Sequence, residues 1–277
     1  MKWEGRRGSR NVEDRRGMGG KVAGGGVGVV IIAIVVMLMG GDPGAILESG
    51  GGVAAGPAEP RSEAEDSLAR MVSVVLADSE EVWDQIFREE MRSTYEPARL
   101  VLFTGSTDSG CGFAQSAMGP FYCPLDRSVY IDLAFYEDLS RMGAPGDLAQ
   151  AYVVAHEVGH HVQTLLGISQ RVRERRSALG EGEGNQLSVR QELQADCFAG
   201  VWANRADARW DILEEGQVSE ALDAAAAVGD DRLQKAGRGA VAPESFTHGT
   251  SEQRMSWFMR GFQSGRAGDC DTFAAGI

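Results

Sequence analysis

Apolar positions recur along this chain with two periods, one that suits helices and one that suits strands. From Leu148 to Leu166 no proline intervenes, Ala149, Tyr152, Val153, Ala155, Val158, Val162 and Leu165 are apolar, and Gly167 follows. This pattern predicts a largely buried helix with Asp147 in its first turn, where the dipole favours an acid. Glu63 to Met91 predicts one or two helices, with Asp78 and Glu81 spaced as a capping box at an internal restart. Ser188 is a candidate N-cap for a helix carrying Phe198, Val201 and Trp202, and Val218 to Lys235 predicts an alanine-rich helix. Thr250 and Gln253 fit a further capping box. Arg99 to Phe103 and the alternating Ser128 to Leu133 predict strands. Together these elements give an α+β fold.

The longest apolar run lies elsewhere. Val22 to Gly41 is 20 residues without a charge, and as a helix it would span roughly 30 Å, the thickness of a bilayer core. Ahead of it stand seven basic residues against three acidic ones. The positive-inside rule then assigns residues 1–21 to a basic cytoplasmic segment, 22–41 to a single transmembrane helix, and the remainder to the outside. A cleaved signal peptide, with Ala54-Ala55 as an imperfect cleavage site, is the alternative. Residues 42–60 read as a Gly/Pro-rich linker, because Gly40 to Pro60 holds seven glycines and three prolines. The domain proper is then expected over 61–277, long enough for one core.

Composition narrows the partners. After residue 21 the chain carries 20 basic and 37 acidic residues, a balance that repels nucleic acid and anionic headgroups. No Walker loop, nucleotide-binding glycine pattern or internal repeat is present.

The candidate chemistry is concentrated in Val154-Ala155-His156-Glu157-Val158-Gly159-His160-His161-Val162. On a helix, His156 and His160 share a face and can converge on one ion, while Glu157 sits at its edge, placed to act as base on a metal-bound water. Zinc with three protein ligands and one open position lowers the pKa of its water to about 7, which points to amide hydrolysis. Three of the chain's four histidines lie within this segment, against chance scatter. His161 is about 100° round the helix from His160 and is not expected to be a ligand.

One more protein ligand is needed. Glu192 and Asp196 are four apart on a predicted apolar helix, so one can bind zinc while the other accepts an N–H from a liganding histidine. Glu174, Glu181 and Glu183 compete for the role but lie in a stretch rich in arginine and glycine that reads as a flexible excursion.

HExxH followed by ExxxD resembles the gluzincin metallopeptidases. More narrowly, MKWEGRRGSRNVEDRRG, GPFYCPLDRSVYIDLAFY, HEVGHHVQ, RQELQADCFAGVWA and HGTSEQRMSWFMRGFQSG resemble the putative neutral zinc metallopeptidase family of membrane-anchored bacterial proteins. The resemblance implies a zincin-like domain holding one Zn2+ and cleaving peptide bonds of extracytoplasmic proteins or peptides, cell-wall peptides included. It implies an edge strand in the position of Ser128 to Leu133 that pairs with extended substrate; a plain core strand gives the same alternation. It also implies a histidine that hydrogen-bonds the oxyanion, for which His248 is available; the alternative is that His248 caps its own turn. Arg254 stands either as a ligand for a substrate carboxylate or developing charge, or as half of a structural ion pair.

Four cysteines allow three pairings, of which Cys111–Cys123 and Cys197–Cys270 is the one expected. Such bridges suit an oxidising compartment. The reading from a different functional class is a membrane-tethered binding or assembly factor with a structural or vestigial zinc site. Glu157 separates the two, since a structural site has no use for a base beside an open position.

Overall fold

A computed structural model of the chain describes residues 1–17 and 61–274. Strand β1 (Val12–Asp14) is followed by helix α1 (Glu63–Glu89) and by strands β2 (Arg99–Phe103), β3 (Ser106–Ser109), β4 (Gly112–Gln115), β5 (Phe121–Cys123) and β6 (Ser128–Asp132). Helices α2 (Phe135–Arg141), α3 (Asp147–Leu165), α4 (Ile168–Arg176), α5 (Glu181–Trp210), α6 (Val218–Ala227), α7 (Asp230–Arg238) and α8 (Ser251–Ser264) complete an α+β fold. The main sheet runs β1-β2-β6-β5, parallel except for β5, and β3 pairs with β4 as a separate hairpin.

Period-two alternation sorts the sheet residues between two cores. Leu100, Leu102, Val129 and Ile131 face the helices and join the large core with Trp83, Phe87, Trp202 and Phe258. Val101, Phe103 and Tyr130 point to the opposite side and form a smaller cluster with Cys123. Every residue of β6 is buried, and β6 lies between β2 and β5. Of the two readings of Ser128 to Leu133, the core strand is the one observed, and the edge on that side is β5.

Helix α3 crosses α5 at Gly159, where a Cβ would sit 3.0 Å from the Ala195 carbonyl. A bare glycine in the HEVGH segment thus lets the two helices approach closely enough for their side chains to meet. On the far side of α5, Gly200 faces α8, where a Cβ would lie 2.0 Å from the Phe258 carbonyl. Thr250 caps α8 with the predicted box, and both expected disulfides, Cys111–Cys123 and Cys197–Cys270, are present.

Several boundaries differ from expectation for identifiable reasons. Glu174 lies in α4, and α5 starts at Glu181, so the residues around Glu174, Glu181 and Glu183 that read as a flexible excursion are largely helical and Ser188 is not a cap; its hydroxyl bonds the Gly184 carbonyl within the helix. α1 runs unbroken through Asp78, whose carboxylate takes Arg6 instead of capping a restart. The alanine-rich segment breaks at Gly229, where a Cβ would meet the Ser251 backbone nitrogen at 2.5 Å.

The largest correction concerns the N-terminus. β1 pairs with β2 in register Val12↔Leu100, Lys2 N–H bonds the Ile212 carbonyl, and Trp3 Nε1 donates to Asp147 at 3.1 Å. Arg16 is buried against Asp14, Glu65 and Asp66, and Arg61 donates to its carbonyl at 2.6 Å. Residues expected to form a separate cytoplasmic segment are instead part of the sheet, and a strand cannot lie across a membrane from the sheet it completes. The expected spanning segment 22–41 and linker 42–60 fall outside the described residues. Among the described residues, no helix is long and apolar enough to cross a membrane.

Candidate active site

Side chains from α3 and α5 meet on the floor of a cleft of about 1060 Å³. His156 and His160 from α3 and Glu192 from α5 each bring one donor atom into a group whose members all lie within 4.8 Å of one another. His156 Nε2 is 3.2 Å and His160 Nε2 3.5 Å from the two Glu192 oxygens. The imidazoles stand nearly perpendicular, with ring centres 4.8 Å apart.

The other ring nitrogens are already engaged. His156 Nδ1 donates to Asp196 Oδ1 at 2.8 Å. His160 Nδ1 donates to the Gln163 side-chain oxygen at 2.9 Å, while the Gln163 amide nitrogen gives its protons to the Gln191 carbonyl and to Gln194 Oε1. With Nδ1 protonated on both rings, the Nε2 lone pairs are left to face Glu192, a donor set that fits zinc. Sequence reasoning missed Gln163, although its place one turn after His160 marks it as a neighbour.

Asp196 is completely buried. Burial alone would push its carboxyl up, but the Arg254 guanidinium outweighs that and holds it down at about 2. Arg254 binds it through Nε at 2.8 Å and Nη2 at 2.9 Å, and Tyr152 adds its hydroxyl. Of the two roles weighed for Arg254, the geometry matches the structural ion pair, for its remaining donors reach Tyr152 and the Val228 carbonyl.

Glu157 lines the same cleft and is nearly buried. Burial raises its carboxyl above the usual range, an effect opposed by the two imidazoles beside it. His248 lines the cleft from the loop before α8, its side chain 42% exposed. That loop is held by Asp230, a buried residue that sequence reasoning did not single out. Its Oδ2 accepts the backbone N–H groups of Thr247, His248 and Gly249 at 2.8, 2.6 and 2.9 Å, and Oδ1 lies 3.2 Å from His248 Nδ1. His248 is thus held by the turn and open to the cleft at once.

His161 points away, as its helical angle requires. Its Nε2 donates to the Glu96 carbonyl at 2.6 Å, and its Nδ1 accepts from the Tyr122 hydroxyl at 3.0 Å. Burial lowers its proton affinity. It serves to fasten β5, through Tyr122, to the helix that carries His156 and His160. Glu174, Glu181 and Glu183 are not among the clustered donors.

The sequence profile of the putative neutral zinc metallopeptidase family matches residues 1–273. The chain belongs to that family. It is 49% identical to the uncharacterized protein YpfJ of Escherichia coli strain K12, over the whole length of both chains. It is 45% identical to the uncharacterized protein Rv2575 of Mycobacterium tuberculosis strain H37Rv, over 65% of this chain and 64% of the relative. No solved structure matches. The family's description carries zinc and a peptidase activity in its name, and the matched span takes in the described N-terminal strand as well as the cleft.

Proposed function

We propose that this member of the family is a zinc-dependent endopeptidase with a zincin-like domain, acting outside the cytoplasm on proteins or peptides. The observation that carries the reading is the convergence of His156, His160 and Glu192 beside Glu157 on the floor of an open cleft. A zinc ion held by those three groups would supply Lewis-acid activation of water and of the scissile carbonyl.

The chain's own groups do the rest. Glu157, beside the two imidazoles in the cleft, accepts the proton of the attacking water and delivers it to the leaving amine. Asp196 keeps the proton of His156 on Nδ1, and Gln163 does the same for His160. His248, steadied by Asp230, donates a hydrogen bond to the oxygen that becomes negative in the transition state. The free edge of β5 offers backbone groups to an extended peptide along the cleft wall.

Two disulfides favour an oxidising compartment. The apolar run 22–41 is the candidate for membrane association, with residues 1–17 and 61–274 on the same side of the bilayer because they share one sheet.

The test is cleavage of a mixed peptide library by the full chain, by Glu157→Gln and by His156→Ala, read by mass spectrometry beside zinc content. The proposal expects Glu157→Gln to keep zinc and lose hydrolysis by about 10²-fold or more, and His156→Ala to lose both. Equal cleavage by Glu157→Gln and the parent chain would overturn the mechanism. Absence of cleavage by all three with zinc retained would favour a tethered binding factor.

A further inference from the structure

The charge of the cleft walls is uneven. Helix α4 carries four arginines and one glutamate in nine residues, in a chain of net charge -13. Glu174 accepts from Gln170, and Arg171 reaches the Leu166 carbonyl. Arg173 and Arg176, three residues apart and so on one face, both line the cleft.

Elsewhere several arginines are paired with acids: Arg6 with Asp78, Arg15 with Glu13, Arg205 with Glu90, Arg254 with Asp196. Among the described residues, no carboxylate lies within ion-pair distance of Arg173 or Arg176. The acids of the same cleft are differently placed. Asp138 is held by Arg141 at 2.7 Å, Glu192 faces the two histidines, and Glu157 stands beside the same imidazoles. Glu181 lies in the first turn of α5, where the helix dipole already favours its charge.

We propose that the α4 wall is a subsite for peptide substrates with acidic side chains flanking the bond to be cut, Arg173 and Arg176 being the residues that select them. The proposal rests on the peptidase reading for its scissile bond, but binding alone can test it. Guanidinium groups bind carboxylates with two parallel hydrogen bonds, and a low-dielectric cleft wall concentrates their field more than an open surface does. A peptide is favoured over a membrane or nucleic acid as the occupant because both arginines face the cleft that holds the candidate metal ligands, in a molecule whose overall charge repels extended polyanions.

The experiment uses the full, zinc-loaded chain with Glu157→Gln, so that bound peptide persists. Fluorescence anisotropy compares two C-terminally amidated fluorescein peptides, one with glutamates on both sides of a neutral centre and one with glutamines instead. The expected result is roughly fivefold tighter binding of the glutamate peptide at low salt, shrinking as salt rises. Adding Arg173→Gln and Arg176→Gln, both at exposed positions, should erase that preference without weakening the glutamine peptide.

Equal affinities, or a preference that survives the double substitution, would overturn the assignment. So would binding to phosphatidylglycerol vesicles that the double substitution abolishes while the peptides are not distinguished. If the glutamate preference holds but the unsubstituted chain cleaves neither peptide, the peptidase reading fails and the subsite stands. If the unsubstituted chain cleaves both peptides equally and they bind equally, only the subsite fails.

Discussion

Asp196 keeps a full charge in the interior because Arg254 grips both its oxygens, and that pairing fixes His156 from behind. Asp196→Asn would leave a guanidinium buried beside a neutral amide, so a loss of roughly 3–5 kcal/mol of unfolding free energy is expected in urea titration. Zinc affinity should fall about 10- to 100-fold; unchanged zinc affinity would remove Asp196 from the site's supporting structure. Asp78 is a different case, with one oxygen 2.7 Å from Arg6 and the other buried without a partner. Burial pushes its carboxyl up to about 7, against the pull of Arg6. The folded state therefore holds this proton more tightly than the unfolded chain, whose value is about 3.9. The stability that Asp78 contributes is fully present below pH ~4 and lost as pH rises through 7. Asp78→Asn should flatten stability against pH across that window, and an unaltered slope would contradict the assignment. His156, Glu157 and His160 were legible from helical spacing, and Glu192 and Asp196 from a second i,i+4 pair on a predicted helix, although spacing does not say that the two helices meet. Gln163 at i+3 left a faint trace of the same kind. Asp230 left none, since its partners at 247–249 reach it only through the tertiary fold.

The helices owe their arrangement to small residues at the crossings. At Gly200 a Cβ would come within 2.0 Å of the Phe258 carbonyl, and at Gly261 within 1.9 Å of the Cys197 carbonyl. Gly200→Ala must force α5 and α8 apart, costing about 1–3 kcal/mol or more in thermal or urea unfolding. Gly182→Ala, in an exposed turn of the same helix with nothing within 4 Å, should stabilise by up to about 1 kcal/mol. If both substitutions had the same effect, the close crossing would not be what constrains α5 and α8. Long periodic helices such as α3 were predictable to within a residue, since burial of one face and the Gly167 stop agree. The break at Gly229 was hidden, because alanine-rich sequence favours helix on both sides and only contact with Ser251 requires the interruption. Whether β6 is an edge or a core strand was hidden for a similar reason: alternation marks a strand without saying which neighbours flank it.

At the scale of the whole molecule, the N-terminal residues and the cleft belong to one body. A charged three-residue strand pairing with a partner more than 80 positions away is nearly invisible to periodicity, and the arginines around it read more readily as a topogenic signal. In this fold those charges are met by Asp78, Asp14, Glu65 and Asp66. All four cysteines are in disulfides, so single cysteines introduced as Arg10→Cys and Glu215→Cys, both exposed, report topology cleanly. An impermeant maleimide should label both from the same face of intact cells or vesicles. Labelling from opposite faces would contradict the joining of β1 to the sheet. Reduction of Cys197–Cys270, which closes a loop of 73 residues, is expected to lower stability by about 4 kcal/mol, against about 3 for Cys111–Cys123. The most direct test of the account is the zinc content of the full chain by mass spectrometry, for the parent, Glu157→Gln and Glu192→Ala. The account predicts one zinc per chain in the first two and a loss of tightly held zinc in the third, with the fold intact by circular dichroism. Full zinc occupancy in Glu192→Ala would contradict the claim that helices α3 and α5 hold the ion together.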